Sequence, residues 1–285
     1  MTIWFSTNIP EMRAISTFKR VSTDISNIQE RITTGQRINS GKDDPGGLII
    51  REGLRADIKN IHATQANMVQ AENLTDTASN GMMQLLEIIR GSETNNPDDS
   101  GLLGALLNAA TPADAKTAAE GFMKLYDATV ETTLYNGQKL LGGDLKENSG
   151  TPGKTYQLGG TQVLGISIGD LSSGSGGAAD VVKQAIAGLN ATNMESTIGE
   201  VKALQTAIST ALGTLGGSQK VIAQNQRLLD SRLTSISASE GRISNADIAV
   251  ESSRMARAEL LAQNAMNSIM YTRSYAAFAV SSLFG

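Results

Sequence analysis

The chain has 285 residues, 24 Lys and Arg against 28 Asp and Glu, one histidine, one tryptophan and no cysteine. Absent thiols exclude disulfides, thiolate zinc sites, iron–sulfur clusters and a cysteine nucleophile, and His62 alone cannot build a two-histidine metal site. A net charge of −4 with no basic run gives no footprint for a nucleic-acid partner.

The first residues, Met1-Thr-Ile-Trp-Phe-Ser-Thr-Asn, lack the basic and apolar regions of a cleaved leader. Taken alone, that points to the cytosol unless export uses an uncleaved signal. No stretch approaches 18 consecutive apolar residues, so membrane insertion is not expected. Over 12–39, Ile15, Phe18, Val21, Ile25, Ile28 and Ile32 recur in steps of three and four, close to a coiled-coil seam. Gly35 and Asn39-Ser40-Gly41 end that segment.

Asp44-Pro45 is a helix start: the carboxylate accepts from free backbone N–H groups and proline at the first position sacrifices none. The seam resumes at Leu54, Ile58, Ile61, Gln65, Met68, Ala71, Leu74, Ala78, Met82, Leu85 and Ile89. A helix over 46–90 would be about 68 Å long, which suits a rod better than a globule. Residues 91–101 read as a loop and 102–110 as a short helix. Thr111-Pro112-Ala113-Asp114 opens a helix over 112–134 whose packed face is expected at Ala119, Phe122, Leu125 and Thr129.

Glycines are dense from 135 to 179. Thr155–Leu158 and Val163–Ile168 alternate as a β-hairpin turning near Gly159-Gly160, and 172–177 is a flexible link. Long helical periodicity returns over 180–240, and Gly241 is expected to break it. A last helical segment covers 244–282. The fold class is therefore mainly α: a long antiparallel helical bundle of N- and C-terminal segments with a small β-hairpin in the middle.

Candidate chemistry is sparse. His62 lies between seam residues, Asp43-Asp44 is explained by capping, and the glycines contain no phosphate-binding pattern. Asn73-Leu-Thr75 and Asn190-Ala-Thr192 match the N-glycosylation pattern but fall on predicted helices, where a chance match is expected. No catalytic residue, cofactor or metal is expected. The ends are more informative. Trp4, Phe5 and Phe18 lie in the first 40 residues, and Tyr271, Tyr275, Phe278 and Phe284 in the last 15. Large aromatics at termini, which usually fray, point to burial against neighbouring copies.

Arg31-Ile-Thr-Thr-Gly-Gln-Arg-Ile-Asn-Ser-Gly-Lys-Asp-Asp-Pro-Gly-Gly47 resembles the N-terminal signature of bacterial flagellins, with Arg37, Asn39, Asp43 and Asp44 at its matching positions. Tyr135-Asn136-Gly137-Gln-Lys-Leu-Leu141 is similar to that family's entry to its hairpin. Arg242-Ile243, Ala246-Asp247-Ile-Ala249, Glu251-Ser-Ser253 and Met255-Ala-Arg-Ala258 resemble its C-terminal signature. The resemblance implies a non-enzymatic subunit of the flagellar filament, a homopolymer used for motility. It implies that 1–42 and 241–285 form an inner coiled-coil layer, with 43–179 and 180–240 outside it. The implied intersubunit residues are Trp4, Phe5, Ile15, Phe18, Ile25, Ile28, Ile32, Met255, Leu261, Ile269, Tyr271, Tyr275, Phe278, Leu283 and Phe284. Implied partners are an export chaperone, a filament cap and hook-junction proteins. Implied export runs through the flagellar type III apparatus with no cleaved signal. A hook–filament junction protein with similar ends is the alternative.

Overall fold

The computed structural model describes residues 9–91, 101–146, 153–159 and 162–284. The elements run α1 (Ile9–Thr34), α2 (Pro45–Arg90), α3 (Gly101–Asn108), α4 (Pro112–Thr132), β1 (Leu134–Tyr135), β2 (Gln138–Lys139), β3 (Lys154–Gly159), β4 (Gln162–Ile166), α5 (Asp180–Ala187), α6 (Met194–Ser244) and α7 (Ile248–Phe284). Two compact units divide the chain: residues 1–58 with 234–285, and residues 59–233. Both divisions fall within long helices, α2 and α6.

In the unit of residues 59–233, the seam read from sequence is the core. Met68, Ala71, Leu74, Ala78, Met82, Leu85 and Ile89 of α2 are fully buried, as are Val201 and Ile208 of α6, with Leu204, Leu215, Ile222 and Leu229 nearly so. Polar residues beside the seam align the two helices antiparallel. Gln65 Nε2 donates to Asp230 (2.7 Å), Gln226 Nε2 to Glu72 (2.9 Å) and Gln219 Nε2 to Asp76 (2.8 Å). As residue numbers rise along α2, those of the partners fall along α6.

Caps fall where side-chain chemistry places them. Asp44 Oδ1 accepts from Gly47 N at 2.9 Å, with Pro45 opening α2. Thr111 accepts from Asp114 N (3.2 Å), with Pro112 opening α4. Gly35 ends α1 with φ 68°, the left-handed conformation that glycine adopts without a Cβ penalty.

Four sequence readings are corrected. The buried face of α4 is Ala115, Ala119, Met123, Tyr126 and Val130; Leu125 is 53% exposed, while Phe122 and Thr129 are only half-buried. Tyr126 can face inward because its hydroxyl donates to the Leu171 carbonyl at 2.8 Å, so the polar tip is satisfied. The helix expected over 180–240 is interrupted at 188–193, where Asn190 and Asn193 bond to the backbone in place of the helical ladder. Gly241 does not end α6: its carbonyl accepts from Asn245 N at 2.9 Å, and the helix continues to Ser244. Finally, two hairpins are present among the described residues. The expected one is β3–β4, pairing Tyr156 with Leu164 and Lys154 with Ile166. Its two-residue connection, which holds the expected turn residue Gly160, lies outside the described residues. The other is β1–β2, turned by Asn136 (φ 51°) and Gly137 (φ 77°), the positive-φ pair of a type I′ turn.

Two glycines of α2 behave oppositely. A Cβ at Gly81 would stand 2.7 Å from both Cγ2 and Oγ1 of Thr133, while one at Gly53 meets nothing within 4 Å among the described residues. Thr133 cannot swing away cheaply, because its hydroxyl donates to the Thr129 carbonyl at 2.7 Å. Gly53→Ala should raise stability by about 0.5–1 kcal/mol through helix propensity. Gly81→Ala should lower it by about 1–3 kcal/mol through overpacking despite the same propensity gain. Urea unfolding of the two variants checks the opposite signs.

Burial, then the charges of Asp127 and Asp170, push the Tyr126 phenol well above its ordinary value of about 10. The unfolded phenol ionises near pH 10 while the folded one stays protonated. The unfolded state therefore binds fewer protons above that pH, and stability must fall as pH rises through it. Tyr156, raised by burial and then by Tyr135, acts in the same direction. Tyr126→Phe should cost about 1–2 kcal/mol at neutral pH by leaving the Leu171 carbonyl without this donor. It should also flatten the decline between pH 10 and 12 without abolishing it. Denaturant midpoints from pH 7 to 12 measure both effects.

Candidate functional site

Within the unit of residues 1–58 and 234–285, the turn after α1 is clipped to the turn between α6 and α7. Ala246 N donates to the Gly35 carbonyl (2.9 Å), Arg37 N to the Ser244 carbonyl (2.7 Å), and Arg37 Nη2 to the Ile243 carbonyl (3.0 Å). Gln36 and Asn245 form an antiparallel bridge. Asp43 Oδ2 gathers the loop by accepting from Asn39 N, Ser40 N and Ser40 Oγ at 2.9–3.2 Å. The Ser40 backbone bond leads the contributions that hold its carboxyl below the usual carboxylate range; the Ser40 hydroxyl, Asn39 N and Arg31 add to it. Ile38 is buried beneath the turn, and buried Arg51 of α2 donates to its carbonyl. A Cβ at Gly47 would run into the Asp44 carboxylate and Ile38, which explains glycine there.

The second turn is built in the same way. Asp247 caps α7, its Oδ1 accepting from Ala249 N (3.0 Å) and Val250 N (3.1 Å). One turn on, Glu251 is buried. Its Oε1 accepts from Arg254 (2.7 Å) and lies 4.0 Å from Arg31, whereas its Oε2 meets no hydrogen-bonding partner among the described residues. Arg31 also stands 3.9 Å from Asp43, so one guanidinium on α1 faces a carboxylate from each turn. Arg242 donates to Ser239 within α6 at 3.3 Å.

These turns set α1 against α7 as an antiparallel pair. Arg273 Nε reaches Glu11 (2.8 Å) at one end, and Arg31 approaches Glu251 at the other. Val21, Ile28 and Ala258 form the core, with Ile25, Ile32, Met255 and Ala262 packed against it. Ala258, Ala262, Ala265 and Ile269 recur every three or four residues along this face of α7, and all are buried or half-buried. Leu260, Tyr271 and Phe278 share a different face, because their spacings of 11 and 7 are close to whole helical turns. They are 61%, 77% and 71% exposed.

The intersubunit residues named from sequence therefore separate into two sets. Ile25, Ile28, Ile32 and Met255 close the seam inside the chain, with Ile15, Phe18 and Ile269 half-buried. Leu261, Tyr271 and Phe278 remain exposed. Trp4 and Phe5 lie outside the described residues, as do the side chains of Tyr275, Leu283 and Phe284. Among the signature residues, Arg37, Asn39, Asp43, Asp44, Asp247 and Glu251 converge on the two clipped turns. Asn136 and Gly137 turn the β1–β2 hairpin of the other unit. Sequence reading passed over the exposed Leu260 and the buried Arg51. Leu260 was detectable from its helical phase with Tyr271 and Phe278; nothing local marks Arg51.

Among the described residues, no group of three His, Asp or Glu side chains could hold a metal ion, and no helix is long and apolar enough to cross a membrane. The description of the bacterial flagellin N-terminal helical region matches residues 5–145, and that of the C-terminal helical region matches residues 198–271. Flagellin of Bacillus subtilis is 25% identical, covering 88% of this chain and 90% of its own length. Flagellin of Listeria monocytogenes is 23% identical, covering 92% and 93%. Flagellin A of Vibrio cholerae is 29% identical over 59% of this chain, a match that spans 42% of that longer protein. Between them the two family regions contain the residues that build the clipped turns and the α1–α7 core. The chain belongs to the bacterial flagellin family and is a non-enzymatic structural subunit that polymerises into the flagellar filament.

Proposed function

We propose that the α1–α7 pair is the surface through which copies of this chain pack in the filament. The observation that carries this reading is the outer face of α7, where the large apolar side chains of Leu260, Tyr271 and Phe278 are exposed among Asn264, Asn267 and Ser274 on a helix whose inner face already packs against α1. Large apolar side chains grouped on the solvent side of a helix mark a contact surface. On this reading, 1–42 and 241–285 form the inner layer of the assembly, and 43–179 with 180–240 stand outside it. The family relationship supports an extracellular filament. It also motivates export without removal of a leader, with a chaperone, a cap and hook-junction proteins as partners along the way.

Nitration by tetranitromethane tests the surface. Tyr271 should react readily in the monomer and be protected at least tenfold in filaments. Fully buried Tyr126 should stay unreactive in both. Filaments in which Tyr271 reacts at the monomer rate would remove the outer face of α7 from the contact.

A further inference from the structure

We propose that the loop at 188–193 presents Asn190 as an acceptor for N-linked glycosylation from a nucleoside-diphosphate sugar, and that Asn73, the other Asn-X-Thr site of the chain, is closed by its fold. Both sites match the same three-residue pattern, so sequence alone does not separate them.

At Asn190-Ala191-Thr192 the helix is interrupted and all three residues are exposed. Asn190 Oδ1 accepts from Thr192 N (2.9 Å) and Asn193 N (3.1 Å). Asn190 N in turn donates to Asn193 Oδ1 (2.7 Å), and Asn193 Nδ2 donates to the Gly188 carbonyl (2.8 Å). The loop is thus held by reciprocal bonds that engage every polar group of Asn193 and the oxygen of Asn190. Neither Asn190 Nδ2 nor the Thr192 hydroxyl makes a hydrogen bond among the described residues. These are the atom that takes the sugar and the group by which a transferase recognises the site.

The chemistry fits that arrangement. Nδ2 attacks the anomeric carbon. The new C–N bond forms as the bond from that carbon to the diphosphate oxygen breaks, the nucleoside diphosphate leaves with the electron pair, and one Nδ2 proton passes to a base of the transferase. An amide nitrogen is a poor nucleophile because its lone pair is delocalised onto the carbonyl, and it improves as its proton is withdrawn. Two backbone N–H groups already donate to Asn190 Oδ1 and stabilise the charge that develops there as the proton leaves, so they make that proton easier for the base to remove. Attachment at Nδ2 breaks none of the bonds that hold the loop.

Asn73 lies in the middle of α2. It is exposed, but Thr75 is fully buried and its hydroxyl donates to the Glu72 carbonyl at 2.9 Å. The Thr75 N–H belongs to the helical ladder and is unavailable to the Asn73 side chain.

The folded full-length chain is incubated with UDP-glucose and a soluble N-glycosyltransferase that recognises Asn-X-Ser/Thr, and the product is mapped by mass. One hexose should appear on the tryptic peptide Gln184–Lys202, at Asn190, with none at Asn73. Asn190→Gln should abolish the gain, Thr192→Ala should slow it at least tenfold, and Asn73→Gln should leave it unchanged. Synthetic peptides of residues 70–78 and 186–196 remove the fold, and both should accept the sugar. An unmodified chain overturns the proposal whether or not the 186–196 peptide is accepted, provided the enzyme acts on an unrelated site. Equal modification of Asn73 in the folded chain overturns it too.

Discussion

Deleting residues 245–285 should leave a chain that forms no filaments at concentrations where the full chain assembles completely, with the critical concentration raised at least about 100-fold. The deletion removes α7 and with it Met255, Ala258 and Ala262, the partners of Val21, Ile25, Ile28 and Ile32. It also removes Ala246, which donates to Gly35, and Asn245, which bridges to Gln36. An isolated helix of 26 residues with its apolar stripe in water is marginal, because most helical stability in proteins comes from packing. Deleting residues 1–40 should act alike, since it uncovers the complementary face of α7. The unit of residues 59–233 keeps its own core and should still unfold cooperatively. A hundredfold shift corresponds to about 2.7 kcal/mol, well within what an interface of this kind supplies. Sedimentation and negative-stain microscopy read the result, and filaments of normal yield from either truncated chain would refute the terminal-pair model.

The second large effect separates the outer face of α7 from its inner seam. Leu260→Glu with Tyr271→Glu replaces two exposed side chains, so the monomer should keep its helicity and its unfolding midpoint within about 0.5 kcal/mol. In the filament the same carboxylates would be buried without partners, at a cost of several kcal/mol. Assembly should therefore fall by two orders of magnitude or more while the monomer is unchanged. Ile28→Ala is the counterpart. Ile28 packs against Val21 and Ala258 within one chain, so its truncation should cost the pair about 2–4 kcal/mol and lower monomer helicity and assembly together. Circular dichroism and light scattering on the two variants distinguish the faces. Loss of monomer helicity in the double glutamate variant would mean that Leu260 and Tyr271 serve the single chain.

The α2 seam was readable from Ile61 to Ile89 because buried positions on a long helix recur every three or four residues, whatever covers them. The start of α2 was equally plain, since Asp44-Pro45 is a local signal that needs no partner to be understood. The β1–β2 hairpin carried its own signal in Asn136-Gly137, but its two-residue strands are too short for alternation to show. The inward face of α4 was misread because Leu125 is more apolar than Tyr126, and composition does not show the Leu171 carbonyl that satisfies the phenol. The break at 188–193 was hidden for a similar reason: Asn190 and Asn193 are ordinary helix-surface residues until they bond to their own backbone.

Sequence by itself determined the helical period, the antiparallel matching of the two ends and the membership of the chain among flagellins. Each of these depends on local spacing and on short motifs. Only the tertiary structure decided which terminal residues face inward and which are exposed, because that depends on the phase of α7 against α1. Only it showed that the signature residues Arg37, Asp43, Asp247 and Glu251 belong to two clipped turns far apart in sequence. The reason is the same in both cases: burial and hydrogen bonding depend on what the other segment presents, and a linear pattern records just one side of that contact.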